Sequence, residues 1–145
     1  MGQNIYGYGN YYSWRSVTAG HGTYSTTSGN VPGDICPYNW TLPVSGTTST
    51  NSFGALSLAY GGSGWNQTDM AVNQRFRAYP NNFLFSGYVN GSSVNNRGSY
   101  GHWWAKSTHS APNAYILRLD TNGNVAPSYD DRKWLGFTAR CLAGS

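Results

Sequence analysis

The sequence predicts an α+β fold, with two short helices early in the chain and an antiparallel sheet late in it. Three observations lead there. Before Pro80, apolar residues recur at helical spacing behind capping residues; after it, the period changes to two. The strand-like runs of the second half are separated by Asn-Gly and Arg-Gly turns. Helices segregated from hairpins in this order pack beside an antiparallel sheet. At 145 residues the chain is expected to form one domain, burying roughly 68–70% of its unfolded surface.

Residues 1–10 are Gly, Asn and Tyr with little pattern and are expected to be loose. Trp14–Thr18 reads as a first strand and 20–33 as a polar turn region. Residues 34–42 place Ile35, Cys36, Trp40 and Leu42 around the turn Pro37-Tyr38-Asn39, and 45–51 is loop. Asn51 or Ser52 caps a helix carrying Phe53, Leu56 and Tyr60, which ends at Gly61-Gly62. Thr68 or Asp69 caps a second, with Met70, Asn73 and Phe76 on one face. Phe83, Phe85 and Tyr88 then alternate with smaller residues. Strands are expected at Trp103–Lys106, Ala114–Leu119, Asn124–Ala126 and Leu135–Cys141, with Asn122-Gly123 as the clearest hairpin turn. No internal repeat is found.

Composition narrows the chemistry. Charged residues make up only 10% and aromatics 16%, including 12 Tyr and 6 Trp, and mean hydropathy is −0.51. Polarity therefore comes from Asn, Ser, Thr, Gly and Tyr, and the aromatic content argues against disorder. All 5 acidic residues are Asp, which excludes chemistry that needs Glu. The net charge of +4 reflects few acids rather than a basic stripe, so nucleic acid is not an expected ligand. Cys36 and Cys141 can close one disulfide or remain buried thiols; few ions and a pairable couple favour an extracellular setting. The segment MGQNIYGYGN lacks the charged and apolar regions of a signal peptide, and no apolar run is long enough to span a membrane. Either the chain is soluble and cytoplasmic, or it is the trimmed domain of a longer exported protein. The sequons at Asn39, Asn66 and Asn90 are expected by chance at this composition.

No catalytic or metal grouping emerges. His21, His102 and His109 lie in no nucleophile elbow. His102 and His109 with Asp120 do not match zinc spacing. Asp130-Asp131 is offset by Arg132-Lys133 and reads as a solvated loop rather than a calcium site. The block 101–141 instead crowds contact residues. Tyr100, His102, Trp103, His109, Asn113, Tyr115, Tyr129 and Trp134 combine rigid aromatic area with adaptable hydrogen bonding. Trp104, Leu117, Leu119 and Phe137, with part of Trp134, are assigned to the core. Alternation then turns Tyr115 and Asp120 outward, leaves Ile116 and Arg118 open, and adds loops at 99–103, 108–113 and 127–133.

Several phrases resemble one bacterial family, the Fibrobacter succinogenes major paralogous domain. They are Tyr11-Tyr12-Ser13-Trp14, the run 22–30, Cys36-Pro37-x-x-Trp40-x-Leu42-Pro43, Trp103-Trp104, Ala114-Tyr115, the hairpin 122–125 and Gly136-Phe137-x-x-Arg140-Cys141. Together they cover most of residues 11–142. The resemblance implies a C-type lectin-like fold, related to the formylglycine-generating enzymes, with two short helices beside a twisted antiparallel sheet and long loops. It pairs Cys141 with Cys36. Some members are variable proteins of diversity-generating retroelements, in which adenine mutagenesis converts Asn codons to Tyr, Asp, Ser, His, Gly or Arg on an exposed C-terminal face.

Residues between Ser99 and Arg132 fit such output: Tyr100, His102, His109, Asn113, Tyr115, Arg118, Asp120, Ser128, Tyr129, Asp130, Asp131 and Arg132. Trp103, Trp104, Lys106, Lys133 and Trp134 cannot arise that way and belong to the scaffold; Trp103 and Trp134 are still counted among the candidate contacts. The motifs of calcium-dependent sugar binding are missing, with Trp65-Asn66-Gln67 as the nearest remnant, and the enzymes' second C-terminal cysteine is absent. The expectation is thus a non-enzymatic, monomeric binding domain without cofactor or metal. It would act outside the cell or at its surface on a protein or other cell-surface ligand, through a variable region of about 99–134. The alternatives are an oxidase-like relative working through Cys141 and an adhesin module with no discrete site.

Overall fold

Two helices begin where side chains satisfy their first free N–H groups. Asn51 Oδ1 accepts from Gly54 N at 2.6 Å to start α2 (Ser52–Ala59), and Asp69 Oδ1 accepts from Val72 N at 3.2 Å to start α3 (Met70–Arg77). The computed structural model, which describes residues 9–46 and 51–143, adds an earlier single turn, α1 (Trp14–Val17), capped by Ser13. The expected strand at 14–18 is therefore a helix: Trp14 and Val17, three residues apart, are both fully buried on one side of it. The expected loose terminus lies mostly outside the described residues, as does most of the 45–51 loop.

The fold is α+β. Its main sheet has four antiparallel strands in the order β2-β7-β6-β5, built from β2 (Gln67–Thr68), β5 (Tyr100–Thr108), β6 (Asn113–Asp120) and β7 (Asn124–Arg132). A small hairpin pairs β3 (Tyr88–Asn90) with β4 (Ser93–Asn95), and β1 (Trp40–Thr41) pairs with β8 (Leu142–Ala143). Asn122-Gly123 makes the β6–β7 turn, with Gly123 at φ +87°, a conformation open to glycine. The expected strand over 135–141 does not form. Its residues make single bridges to three different neighbours, Gly136 to Val89, Phe137 to Tyr12 and Thr138 to Trp103. This segment threads between elements rather than extending one ladder.

Both faces of the main sheet are covered. On one, Trp104, Ala114 and Ile116 pack with Trp14, Val17, Leu42 and Phe137. On the other, Trp103, Leu117, Leu119 and Val125 pack with Phe53, Val72, Phe76 and Phe83 from the helical half. Edge-to-face contacts link Phe76 to Phe83 at 5.3 Å and Phe83 to Trp103 at 5.0 Å, a geometry that favours the ring quadrupoles. A sheet buried on both sides gives near-continuous apolar strands rather than alternating ones.

Cys36 and Cys141 form a disulfide with Cα atoms 5.8 Å apart. Asp34 organises its approach: Oδ1 accepts from Cys36 N, and Oδ2 from Thr41 Oγ1 and Leu42 N. The buried Lys133 donates Nζ to the carbonyls of Thr23 and Thr26 and lies 4.6 Å over the Trp14 ring. Burial pushes the Lys133 pKa down, and these two carbonyls and the ring are its compensation.

β7 carries a bulge. Ile116 pairs with Tyr129 and Arg118 with Ala126, so β7 runs one residue longer than β6 across that step. Pro127, which has no N–H for a ladder, sits within it. The distortion is held from outside: Ser45 Oγ donates to Pro127 O at 2.6 Å, Ser128 N donates to Asn66 Oδ1 at 3.0 Å, and Asn51 Nδ2 donates to Ser128 Oγ at 3.1 Å. The region 127–133, expected as loop, is thus strand as far as Arg132.

Candidate functional site

The bulge decides which β7 side chains join the open part of the sheet. A strand alternates its side chains between faces, and one inserted residue exchanges the two sets. Beyond Pro127-Ser128, Tyr129 and Asp131 therefore share the face of Arg118, where an unbroken strand would have put Asp130 and Arg132. On β5, Tyr100 and His102 share that face, and His102 pairs with Arg118 across the strands.

These residues line a cleft of about 400 Å³, completed by Tyr88 and Asn90, by Asn96 beyond β4, and by Arg132, Trp134 and Leu135. Gly87 brings the β3–β4 hairpin close. At φ +70°, a Cβ there would lie 2.2 Å from Asn95 O, so only glycine lets the hairpin fold against this edge of the cleft. A second cleft of about 370 Å³ lies alongside, lined by Asn66, Gln67, Thr68, Asn124 and Ala126. Arg118 and Tyr129 line both and form their common wall.

That wall is a stack. The Arg118 guanidinium lies 4.7 Å from the Tyr100 ring centroid and 4.8 Å from that of Tyr129. Behind it, His102 stacks at 4.6 Å on Phe137 and lies 6.0 Å from the near-parallel Tyr100 ring. Burial, reinforced by the charge of Arg118, lowers the His102 pKa to about 4, against an opposing hydrogen bond with the Gly87 backbone. His102 is therefore neutral at pH 7. The Asp131 pKa is pushed up by burial, with Asp130 adding to the rise, while the Arg132 N–H on Asp131 Oδ1 and nearby arginine charge oppose it. The site thus combines one stacked cation, exposed aromatic area at Tyr129 and Trp134, and amides along its rim.

The structure divides the predicted contacts. Tyr100, His102, Arg118, Tyr129, Asp131, Arg132 and Trp134 converge on the first cleft. A separate group forms towards the end of β6 distant from Arg118. There Asn113 Nδ2 donates to Asp130 Oδ2 at 2.8 Å, His109 Nδ1 approaches that oxygen at 3.5 Å, and the His109 and Tyr115 rings meet edge to face at 5.2 Å. Burial and then Asp130 raise the Tyr115 pKa.

Five expectations need correction. Trp103 is a core residue, 4% exposed, because the sheet face it occupies is covered by the helical half. Asp120, at 2%, caps the hairpin turn, accepting from Asn122 N, Asn124 N and Asn124 Nδ2. Ser128 is held in the bulge, and His102 is a buried floor rather than a projecting contact. Trp134, assigned in part to the core, is 46% exposed on the rim.

Sequence reasoning missed Tyr88, Asn90 and Asn96 from the first cleft and Asn66, Gln67, Thr68 and Asn124 from the second. Except for Tyr88 and Asn124, which were read as strand residues without a contact role, they come from short hairpins and turns with no periodicity to place them. Asn96, at φ +56°, carries the one local sign of a special position, an Asn two residues before Gly98. Among the described residues, no group of three or more His, Cys, Asp or Glu side chains is placed to hold a metal ion. No family model matches the chain, and neither does any curated protein or solved structure.

Proposed function

We propose that this chain is a non-enzymatic target-recognition domain of C-type lectin-like type, binding a protein or other cell-surface ligand through the paired clefts around Arg118. The observation that carries this reading is convergence. Seven side chains from three strands and the following turn line one cleft: Tyr100, His102, Tyr129 and Trp134, singled out in the sequence for contact chemistry, and Arg118, Asp131 and Arg132, singled out by the resemblance. Large aromatic and arginine side chains in a concave site are the usual source of binding energy. Resemblance to the variable proteins of diversity-generating retroelements adds the role: a fixed scaffold displaying exchangeable contacts outside the cell. The covered sheet and the disulfide suit a scaffold that must keep its shape while surface residues change.

The test is tolerance. Tyr100, Arg118, Tyr129, Asp131 and Arg132 are randomised together among Tyr, Ser, Asn, Asp, His and Arg in a displayed library. Most members are expected to fold, with Tm within about 5 °C of the parent, and selection on immobilised proteins is expected to yield binders. General collapse of folding would show these positions to be structural and would refute the reading. Next to the gene, a reverse transcriptase and a near-copy of its 3′ segment are expected.

A further inference from the structure

Arg118 is the unsatisfied cation of the site. Its Nε is buried without a hydrogen-bond partner among the described residues. Its ion-pair contact, Nη2 to Asp120 Oδ2, is 3.5 Å, longer than the ~2.7–2.9 Å of a charge-assisted hydrogen bond. Asp120 is held by the turn, where its oxygens accept three donors from Asn122 and Asn124. The Arg118 Cζ lies over the Tyr100 and Tyr129 rings, which offer the guanidinium no oxygen acceptor and leave its donors in need of one. A partly buried guanidinium, flanked by two rings and poor in acceptors, suits a planar group with two oxygens.

We propose that the cleft receives a carboxylate carried by an acidic loop of a protein target, with Arg118 as the fork that pairs with it. This rests on the ligand-binding reading above. A single negative charge fits better than a double one, because the lining holds two arginines, Arg118 and Arg132, against one carboxylate, Asp131, a balance that a single negative charge neutralises and a dianion such as phosphate exceeds. A protein loop fits the shape. The two clefts lie on either side of the Arg118–Tyr129 wall, so a projecting loop can straddle it with its acidic side chain at the ridge. Asn90 and Asn96 on one side then offer amides to the loop backbone.

The experiment is a set of NMR titrations of the folded protein with N-acetyl-glutamate methylamide, its glutamine counterpart, glucuronate and inorganic phosphate, following the Arg118 Nε–H and the His102 ring. Capped glutamate is expected to bind saturably in the millimolar range and at least tenfold more tightly than capped glutamine. R118K, which keeps the charge but not the fork, is expected to lose at least fivefold. Equal binding of glutamine, or undiminished binding by R118K, would overturn the proposal. Tighter binding of glucuronate or phosphate would overturn it in favour of an acidic glycan or a phosphorylated target. The glutamate–glutamine comparison needs no variant and stands even if R118K misfolds. The library experiment uses no carboxylate probe, so the two readings can fail separately.

Discussion

A single buried imidazole links the cleft to the stability of the fold. His102 titrates near pH 4 when folded and near its ordinary value of 6.5 when unfolded. Because the folded value is the lower, unfolding takes up a proton in the window between about pH 4 and 6.5. The contribution is therefore complete above about pH 6.5 and is lost as pH falls toward 4, amounting to about 2.5 kcal/mol by pH 4.5. Urea unfolding at pH 7.5 and 4.5 is expected to show this loss in the parent, over and above the loss in H102N. Equal pH dependence in the two proteins would place the titration elsewhere. His102 was legible in the sequence as a site residue but not as a floor. Its type and neighbours suggested contact, whereas its burial depends on Phe137 and Tyr88, which lie distant in the chain.

The elements divide by how local their causes are. α2 and α3 were readable because cap, apolar spacing and stop all fall within about ten residues. α1 was not, because a single turn with Trp14 and Val17 buried reads equally as a short strand. The β7 bulge had no local signal beyond Pro127; its anchors come from Ser45, Asn51 and Asn66. Asn51 joins two of these elements, since one end of its amide caps α2 and the other donates to Ser128. N51A is expected to cost about 1–2 kcal/mol by denaturant unfolding, from the lost cap and the lost bulge contact together. N51S, which can cap but reaches less far, should cost less. If N51S and N51A are equally destabilised, the cap contributes little and the contact with the bulge dominates.

At the scale of the molecule, the class of fold and the main sheet-forming region were legible, while the two-faced burial of the sheet was not. Alternation was read with one face wet, which sent Asp120 outward, while Trp103 was counted as a contact from its place in the aromatic cluster. The Cys36–Cys141 link closes a loop of 105 residues, which corresponds to ~4–5 kcal/mol in the chain-entropy model. The double variant C36S/C141S is expected to lose a large part of that stability, read as a lower urea midpoint. An unchanged midpoint would mean that the packing around Asp34 and the β1–β8 pair holds the chain ends together without the bond.

The stack of Tyr100, Arg118 and Tyr129 has a consequence for how such a surface can evolve. The three residues stand on three different strands, yet each is positioned by contact with another. Changing Arg118 leaves two rings facing a gap, and changing either ring frees the guanidinium to turn. The three codons therefore behave as one coupled character under mutation. A substitution neutral in one background becomes harmful in another, and the accessible repertoire is smaller than the product of the choices at each position. Sequences sampled from a functional population should show correlated identities at 100, 118 and 129, with weaker correlation between any of these and 109 or 115.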